Sequence, residues 1–394
     1  KVIEQMPRHF SSIFLLGTLS AQIKNYKRAK ILLKKAITIN PNYAEAQNNL
    51  GNVYQELNQF KEAILYYKAA IKINPQYVEA HYNLGKTLQN LEKNDEAINA
   101  YKKALTLKEN FYDVYFNLGE IYKKIDKPKE ALEHFLKSKN RKTNEKLLEC
   151  LFLLNLKKEY TKLIETLDKK DPNNRGIASI SAYISNQFNI PNSYNYCPQP
   201  LDFIFKINLN QSINNFGKYL NDLLNEISKQ NFVWEPYART ANKGFVTKGN
   251  LSELKLPQLT LLEKYISEQI KNYRIFYKNI KCGYINKWPK KYNYMMWSNR
   301  LKKEGYNKSH IHPSGWLSGV FYLKIPSKIK NNEAGIEFSL HGSNLKIKNN
   351  NIPKKNITPR AGDLIMFPSS LFHKTIPFES NEERICIAFD IIKI

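Results

Sequence analysis

The spacing of apolar and polar positions along this chain changes character once, near residue 190. Before that point apolar residues recur at helical spacing in paired segments, and after it short alternating runs take over. The first half repeats at a period of 34. Tyr43-Ala-Glu-Ala, Tyr77-Val-Glu-Ala and Phe111-Tyr-Asp-Val open successive units, Leu50-Gly51, Leu84-Gly85 and Leu118-Gly119 share one internal position, and Leu16-Gly17 fits one period earlier. Ala29, Ala63, Ala97 and Ala131 form a further column, and Pro41 and Pro75 close units until Glu109 breaks that column. Small residues let the two helices of a unit approach, Tyr54, Tyr67 and Tyr101 are expected to fill between units, and proline stops the second helix. Each unit buries its face only against neighbours, so the expectation is an all-α solenoid with a concave groove. The apolar run Ser12 to Leu19 is in register with the repeats and reads as fold rather than export signal.

These columns resemble the tetratricopeptide repeat. The resemblance implies a protein or peptide partner in the groove, with Asn48, Asn52, Asn83 and Asn117 near groove-facing positions. A spacer or dimerisation surface is the alternative, because fold alone does not fix function. Weaker helical stretches, Leu147 to Leu167 and Ile177 to Phe188, read as caps, which gives an array over 1–190. The chain opens on Lys1 rather than methionine, so further repeats are expected upstream.

Residues 191–200, with three prolines and no helical period, read as a linker. From 201 to 394 the pattern is mixed. Ile213 to Ser228 and Leu259 to Phe276 are amphipathic helices, and strands are expected at Phe203 to Leu209, Tyr294 to Leu301, Trp316 to Ile325, Gly335 to Leu340, Leu364 to Phe367 and Arg384 to Ile392. Helices followed by short strands suggest an α+β domain around a sandwich or barrel, so 394 residues divide into two domains.

A formal charge of +26 suggests nucleic acid as a partner, but the excess is mostly lysine interleaved with Asn, Ile, Tyr and Phe, which biased base composition also produces. No run of about 18 apolar residues is present, so no membrane span is expected. Cys150, Cys197, Cys282 and Cys386 include no CxxC pair, which excludes a cysteine zinc module and fits a reducing, cytoplasmic setting.

The chemistry lies near the C-terminus. His310 and His312 are two apart, the spacing that places side chains on one face of a strand, and His373 follows the turn and apolar strand Gly362-Asp-Leu-Ile-Met-Phe-Pro368. Imidazoles suit iron(II), and three ligands on one side of the metal leave positions open. Arg384, eleven residues on, could clamp a carboxylate through two parallel hydrogen bonds. His9, His81, His134 and His341 read as ordinary surface or core groups, and Asp363 as a turn residue.

Ser309 to Leu323, Gly362 to Pro377 and Glu383 to Phe389 resemble the 2-oxoglutarate and Fe(II)-dependent oxygenases, in particular their prolyl-hydroxylase-like group. That resemblance implies a double-stranded β-helix (jelly-roll) core, and Fe(II), 2-oxoglutarate and O₂ as cofactor and co-substrates. It assigns His310 and His373 to iron and Arg384 to the 2-oxoglutarate carboxylate. Position 312 is His where most of the superfamily carries Asp or Glu. Three readings stay open: His312 as third ligand, a carboxylate from Glu337 instead, or water. Tyr322 and Ser318 share a strand face and are candidates to hydrogen-bond 2-oxoglutarate, while Trp297 and Asn299 are candidates to line the substrate pocket. The implied activity is hydroxylation of a protein or peptide side chain docked by the repeats. The alternative is a catalytically inactive repeat scaffold that mediates protein interaction.

Overall fold

The computed structural model describes residues 8–236, 240–342 and 345–394. The chain divides into two compact units, Lys1–Cys150 and Leu151–Ile394.

In the first unit the helices pack in sequential pairs: α1 (Phe10–Gln22) with α2 (Tyr26–Ile39), α3 (Ala44–Glu56) with α4 (Phe60–Ile73), α5 (Val78–Asn90) with α6 (Asn94–Leu107), and α7 (Tyr112–Lys124) with α8 (Pro128–Lys137). The glycine column explains the closeness of each pair. A Cβ added at Gly51, Gly85 or Gly119 would fall 2.6, 2.7 or 2.6 Å from the ring of Tyr67, Tyr101 or Phe135. Tyr67 and Tyr101 therefore fill the inside of their own units, where glycine leaves the space, and the Tyr101 hydroxyl also reaches Asn117 of the next unit. A second column has no apolar signature. Lys24, Asn58, Glu92 and Asp126, 34 residues apart, all take the left-handed conformation, with φ of 62°, 58°, 59° and 59°. They turn the chain between the two helices of each pair. Asn155 repeats this at φ 59°, between α9 (Thr143–Leu153) and α10 (Lys157–Lys170).

The groove asparagines are spent internally. Asn83 Nδ2 donates to Asn48 Oδ1 at 3.0 Å, Tyr67 donates to Asn52 Oδ1 at 2.8 Å, and Asn117 Nδ2 donates to the Tyr101 hydroxyl at 3.1 Å. They tie helices together.

The second unit takes in α10 and α11 (Arg175–Phe188). Residues Ile177 to Ser185 of α11 are all buried, which is the signature of a helix inside a core. The proline-containing segment after it packs as a strap. Tyr194, Tyr196 and Cys197 are buried, and the Tyr196 ring lies 5.3 Å from that of Trp316. Helices α12 (Phe216–Ser228) and α13 (Pro257–Tyr277) meet where the Glu226 carboxylate accepts from the backbone N–H groups of Gln258 and Leu259, at 3.1 and 2.9 Å. A carboxylate at a helix N-terminus satisfies donors that the helix cannot.

The rest is a double-stranded β-helix. Its strands are β1 (Phe205–Asn208), β2 (Phe232–Trp234), β3 (Ala241–Thr247), β4 (Tyr292–Asn307), β5 (Leu317–Lys324), β6 (Ile336–Ser339), β7 (Lys354–Ile357), β8 (Asp363–Pro368), β9 (Phe372–Thr375) and β10 (Arg384–Lys393). Seven strands form one sheet in the order β1-β8-β5-β10-β4-β3-β2, and three form the other in the order β7-β6-β9. All described pairings are antiparallel. A single bridge, His310 to His373, extends the smaller sheet past β9. Between the sheets lies an apolar core that includes Val320, Tyr322, Phe338, Ile365, Phe367, Cys386 and Ala388. The expected strands are present within a few residues. Strands β2, β3, β7 and β9 were not foreseen, since sequences such as Phe-His-Lys-Thr and Lys-Lys-Asn-Ile carry little apolar alternation. Among the described residues no helix is long and apolar enough to cross a membrane.

Candidate metal centre and its pocket

Three elements deliver the histidines. His373 sits in β9, opposite Phe338 of β6. His310 lies outside any strand, but its N–H donates to His373 O and its carbonyl accepts from His373 N–H, both at 3.1 Å. His312 follows on a turn, with its N–H bonded to Ser369 O at 2.9 Å. The pair thus reaches the site through one bridge and one turn rather than along a regular strand. Ring centroids are 4.3 Å apart for His310 and His373, and 5.0 Å for each other pair. Their candidate ligand atoms all lie within 4.8 Å of one another, the one such cluster among the described residues.

Each imidazole is oriented by an acceptor at Nδ1. His310 Nδ1 lies 2.7 Å from Lys308 O, His373 Nδ1 3.1 Å from Leu371 O, and His312 Nδ1 2.7 Å from Asp390 Oδ1. Carbonyl and carboxylate oxygens only accept, so Nδ1 carries a proton in all three, and it is Nε2 that offers a lone pair whenever the ring is neutral. Burial reinforces this. It pushes His310 down to about 4, helped by neighbouring His312, and holds His373 well below the usual range, helped by His310 and His312. Neutral imidazoles are the form that binds metals.

Arg384 opens β10 and is 2% exposed. Its Nε donates to Ala334 O at 2.8 Å, one Nη lies 3.5 Å from Cys386 Sγ, and the guanidinium stands 5.0 Å from the centre of the Tyr322 ring. Among the described residues no carboxylate forms an ion pair with it, and the buried Tyr322 hydroxyl has no hydrogen-bond partner. A buried cation without a counter-charge is costly. The donor set therefore fits a carboxylate ligand at this end and a metal at the other. One cavity of about 350 Å³ is lined by the three histidines, Arg384, Trp297 and Asn299.

Two of the sequence candidates lie elsewhere. Glu337 pairs with Lys374 at 3.0 Å, in register opposite it. Its neighbour Phe338 is the residue that turns inward, so Glu337 is directed away from the imidazoles. Ser318 is engaged away from Arg384: its hydroxyl donates to Asp390 Oδ1 at 2.6 Å and lies 2.8 Å from Ser369 Oγ. Asp390 itself escaped the sequence reading. Its signal is an acidic residue in the apolar run Ile-Cys-Ile-Ala-Phe-Asp-Ile-Ile, at even spacing from Arg384 and hence on the same strand face. Arg175 was missed too. Its Nε donates to Gly315 O at 2.9 Å and an Nη to Ser314 O at 3.2 Å, fastening the turn that follows His312.

Residues 295–390, which include the three histidines, Arg384 and Asp390, match the family described as "Putative 2OG-Fe(II) oxygenase". Residues 10–43, 32–64, 52–92, 90–126 and 112–144 match tetratricopeptide-repeat families. The chain carries N-terminal tetratricopeptide repeats and a C-terminal domain of this oxygenase family. No curated protein matches it. Solved structures that it resembles include MamA (27% identity, 41% of this chain and 86% of that one, TM-score 0.34), Pseudomonas aeruginosa PilF (22%, 47% and 86%, 0.40) and YrrB, described as a TPR protein with an unusual peptide-binding site (20%, 45% and 94%, 0.40).

Proposed function

We propose that residues 201–394 act as an Fe(II)- and 2-oxoglutarate-dependent oxygenase that hydroxylates a protein or peptide side chain presented by the repeats. The observation that carries this reading is the meeting, in one cavity, of three Nε2 donors with a buried guanidinium that no described carboxylate neutralises. Iron(II), 2-oxoglutarate and O₂ would together supply the oxidation of a C–H bond. His310, His312 and His373 would hold the metal through Nε2, kept in that tautomer by Lys308 O, Asp390 and Leu371 O. Arg384 would fix the distal carboxylate of 2-oxoglutarate through its Nη groups, with the Tyr322 hydroxyl as a further donor. Trp297, with its ring 5.4 Å from His312, and Asn299 would line the substrate side and limit water.

The test is an anaerobic Fe(II) titration, followed by 2-oxoglutarate and then O₂. A weak visible charge-transfer band and succinate formation are expected. Their absence in the wild type would leave a repeat scaffold without catalysis as the better account.

A further inference from the structure

β10 carries two buried groups of opposite charge on its inward face, Arg384 and Asp390. Six residues of strand separate them by roughly 20 Å at about 3.3 Å per residue, too far for either to neutralise the other. Each needs its own counter-charge. For Arg384 the preceding reading supplies one. Asp390 has no lysine or arginine partner among the described residues; its close contact is the His312 Nδ1–H, which donates to it at 2.7 Å. The oxygen that faces His312 also accepts from Ser318, which in turn contacts Ser369. The turn after His312 closes over this carboxylate. A Cβ added at Gly315 would sit 3.1 Å from Asp390 Cγ and 2.6 Å from Ser369 Oγ.

We infer that Asp390 is a positioning residue that supplies, one imidazole removed from the metal, the negative charge that a set of three imidazole ligands does not itself carry. The inference rests on the metal-centre reading above. A carboxylate behind a ligating imidazole fixes the ring, makes its Nε2 a stronger donor and offsets the charge of the cation beyond it. Here it does so for one of three imidazoles only. His310 and His373 are backed by neutral backbone carbonyls.

The experiment is a set of anaerobic Co(II) and Fe(II) titrations of the full chain, read by the cobalt d–d absorption and by the dissociation constant. Asp390→Asn keeps an oxygen that can accept from Nδ1–H but removes the charge. It is expected to weaken metal binding about 10- to 100-fold, with far-UV circular dichroism unchanged. Combining it with His312→Asp moves the carboxylate into direct contact with the metal and is expected to restore affinity. Ser318→Ala, which leaves the charge in place, is expected to have a much smaller effect. Asp390→Ser, also neutral, gives the same reading should Asp390→Asn not fold. Metal affinity unchanged by the neutral variants would overturn this inference alone. Ser318→Ala as damaging as Asp390→Asn, or no recovery in the double variant, would also overturn it. No metal uptake by the wild type would overturn the metal-centre reading itself.

Discussion

The repeat region and the double-stranded β-helix are built by opposite strategies. In the repeats every structural decision is local and made several times over. The glycine under Tyr67 recurs under Tyr101 and Phe135, and the left-handed turn at Asn58 recurs at Glu92 and Asp126. In the β-helix each decision is made once, between residues far apart in the chain. Asp390 stands opposite Ser318, Arg384 opposite Leu301, and β1 pairs with β8 more than 150 residues later. Redundant local contacts tolerate the loss of one member. A convergent site does not, so the same kind of substitution should carry very different weights in the two regions.

The sharpest test is His373→Ala. It removes one of three donors and leaves the backbone bridge between residues 310 and 373 in place, and loss of detectable Fe(II) uptake is the expected outcome in an anaerobic titration. If uptake persists near the wild-type level, the convergence has no chemical consequence.

Acid should separate the regions next. His310 has a folded-state value of about 4 against 6.5 when unperturbed, so between these values the unfolded chain binds more protons than the folded one. Stability of the metal-free protein is then full above pH 6.5, falls as pH drops toward 4 and levels below that. For this one group the loss is on the order of 3 kcal/mol, and His373 acts in the same direction. Urea unfolding at several pH values would measure the slope, and His310→Asn should flatten it. Equal slopes in both proteins would mean that burial does not depress the imidazole.

Arg384→Met should weaken 2-oxoglutarate binding about 10- to 100-fold, since hydrogen bonds to charged groups contribute roughly 1.5–3 kcal/mol. Metal uptake should survive, which isothermal titration with each ligand separately can establish. A parallel loss of metal would instead mean that the two ends of the cavity fail together.

In the repeats the expected effects are smaller. Gly85→Ala forces a methyl to 2.7 Å from the Tyr101 ring, an overpacking cost of about 1–3 kcal/mol set against about 1 kcal/mol gained in helix propensity. A modest fall in thermal midpoint is the result to look for. Lys24→Gly should do the reverse. Relief of the left-handed strain is worth roughly 1–2 kcal/mol and is partly cancelled by the entropy that glycine loses on folding, so a slight rise in midpoint is expected.

This contrast also governs what could be read from sequence. Helix pairs, the glycine column and the main strands follow from periodicity, because each element declares itself within its own residues. His310 with His312, and His373 with Arg384, were legible because the spacing within each pair is short and their chemistry rare, although a long stretch of chain separates the pairs. Glu337 was offered as a ligand because an acidic residue near an expected strand looks available, yet the strand's parity directs it outward to Lys374. Ser318 was offered for 2-oxoglutarate, and the register of β5 against β10 gave it to Asp390 instead. Asp390 and Arg175 went unseen for the same reason. Their partners are 78 and 140 residues away, and no local pattern announces them.

Arg175 bears on how this chain can be cut. Helix α11 grips Ser314 and Gly315 at its start, and through Tyr183 and Gln187 it holds Lys346, Lys348 and Asn349 at its end. Someone excising the C-terminal half at the prolines after residue 190 would discard this splint, and with it the brace on the turn beside His312. The seam that composition draws and the seam along which the second half would stay mechanically whole are about forty residues apart.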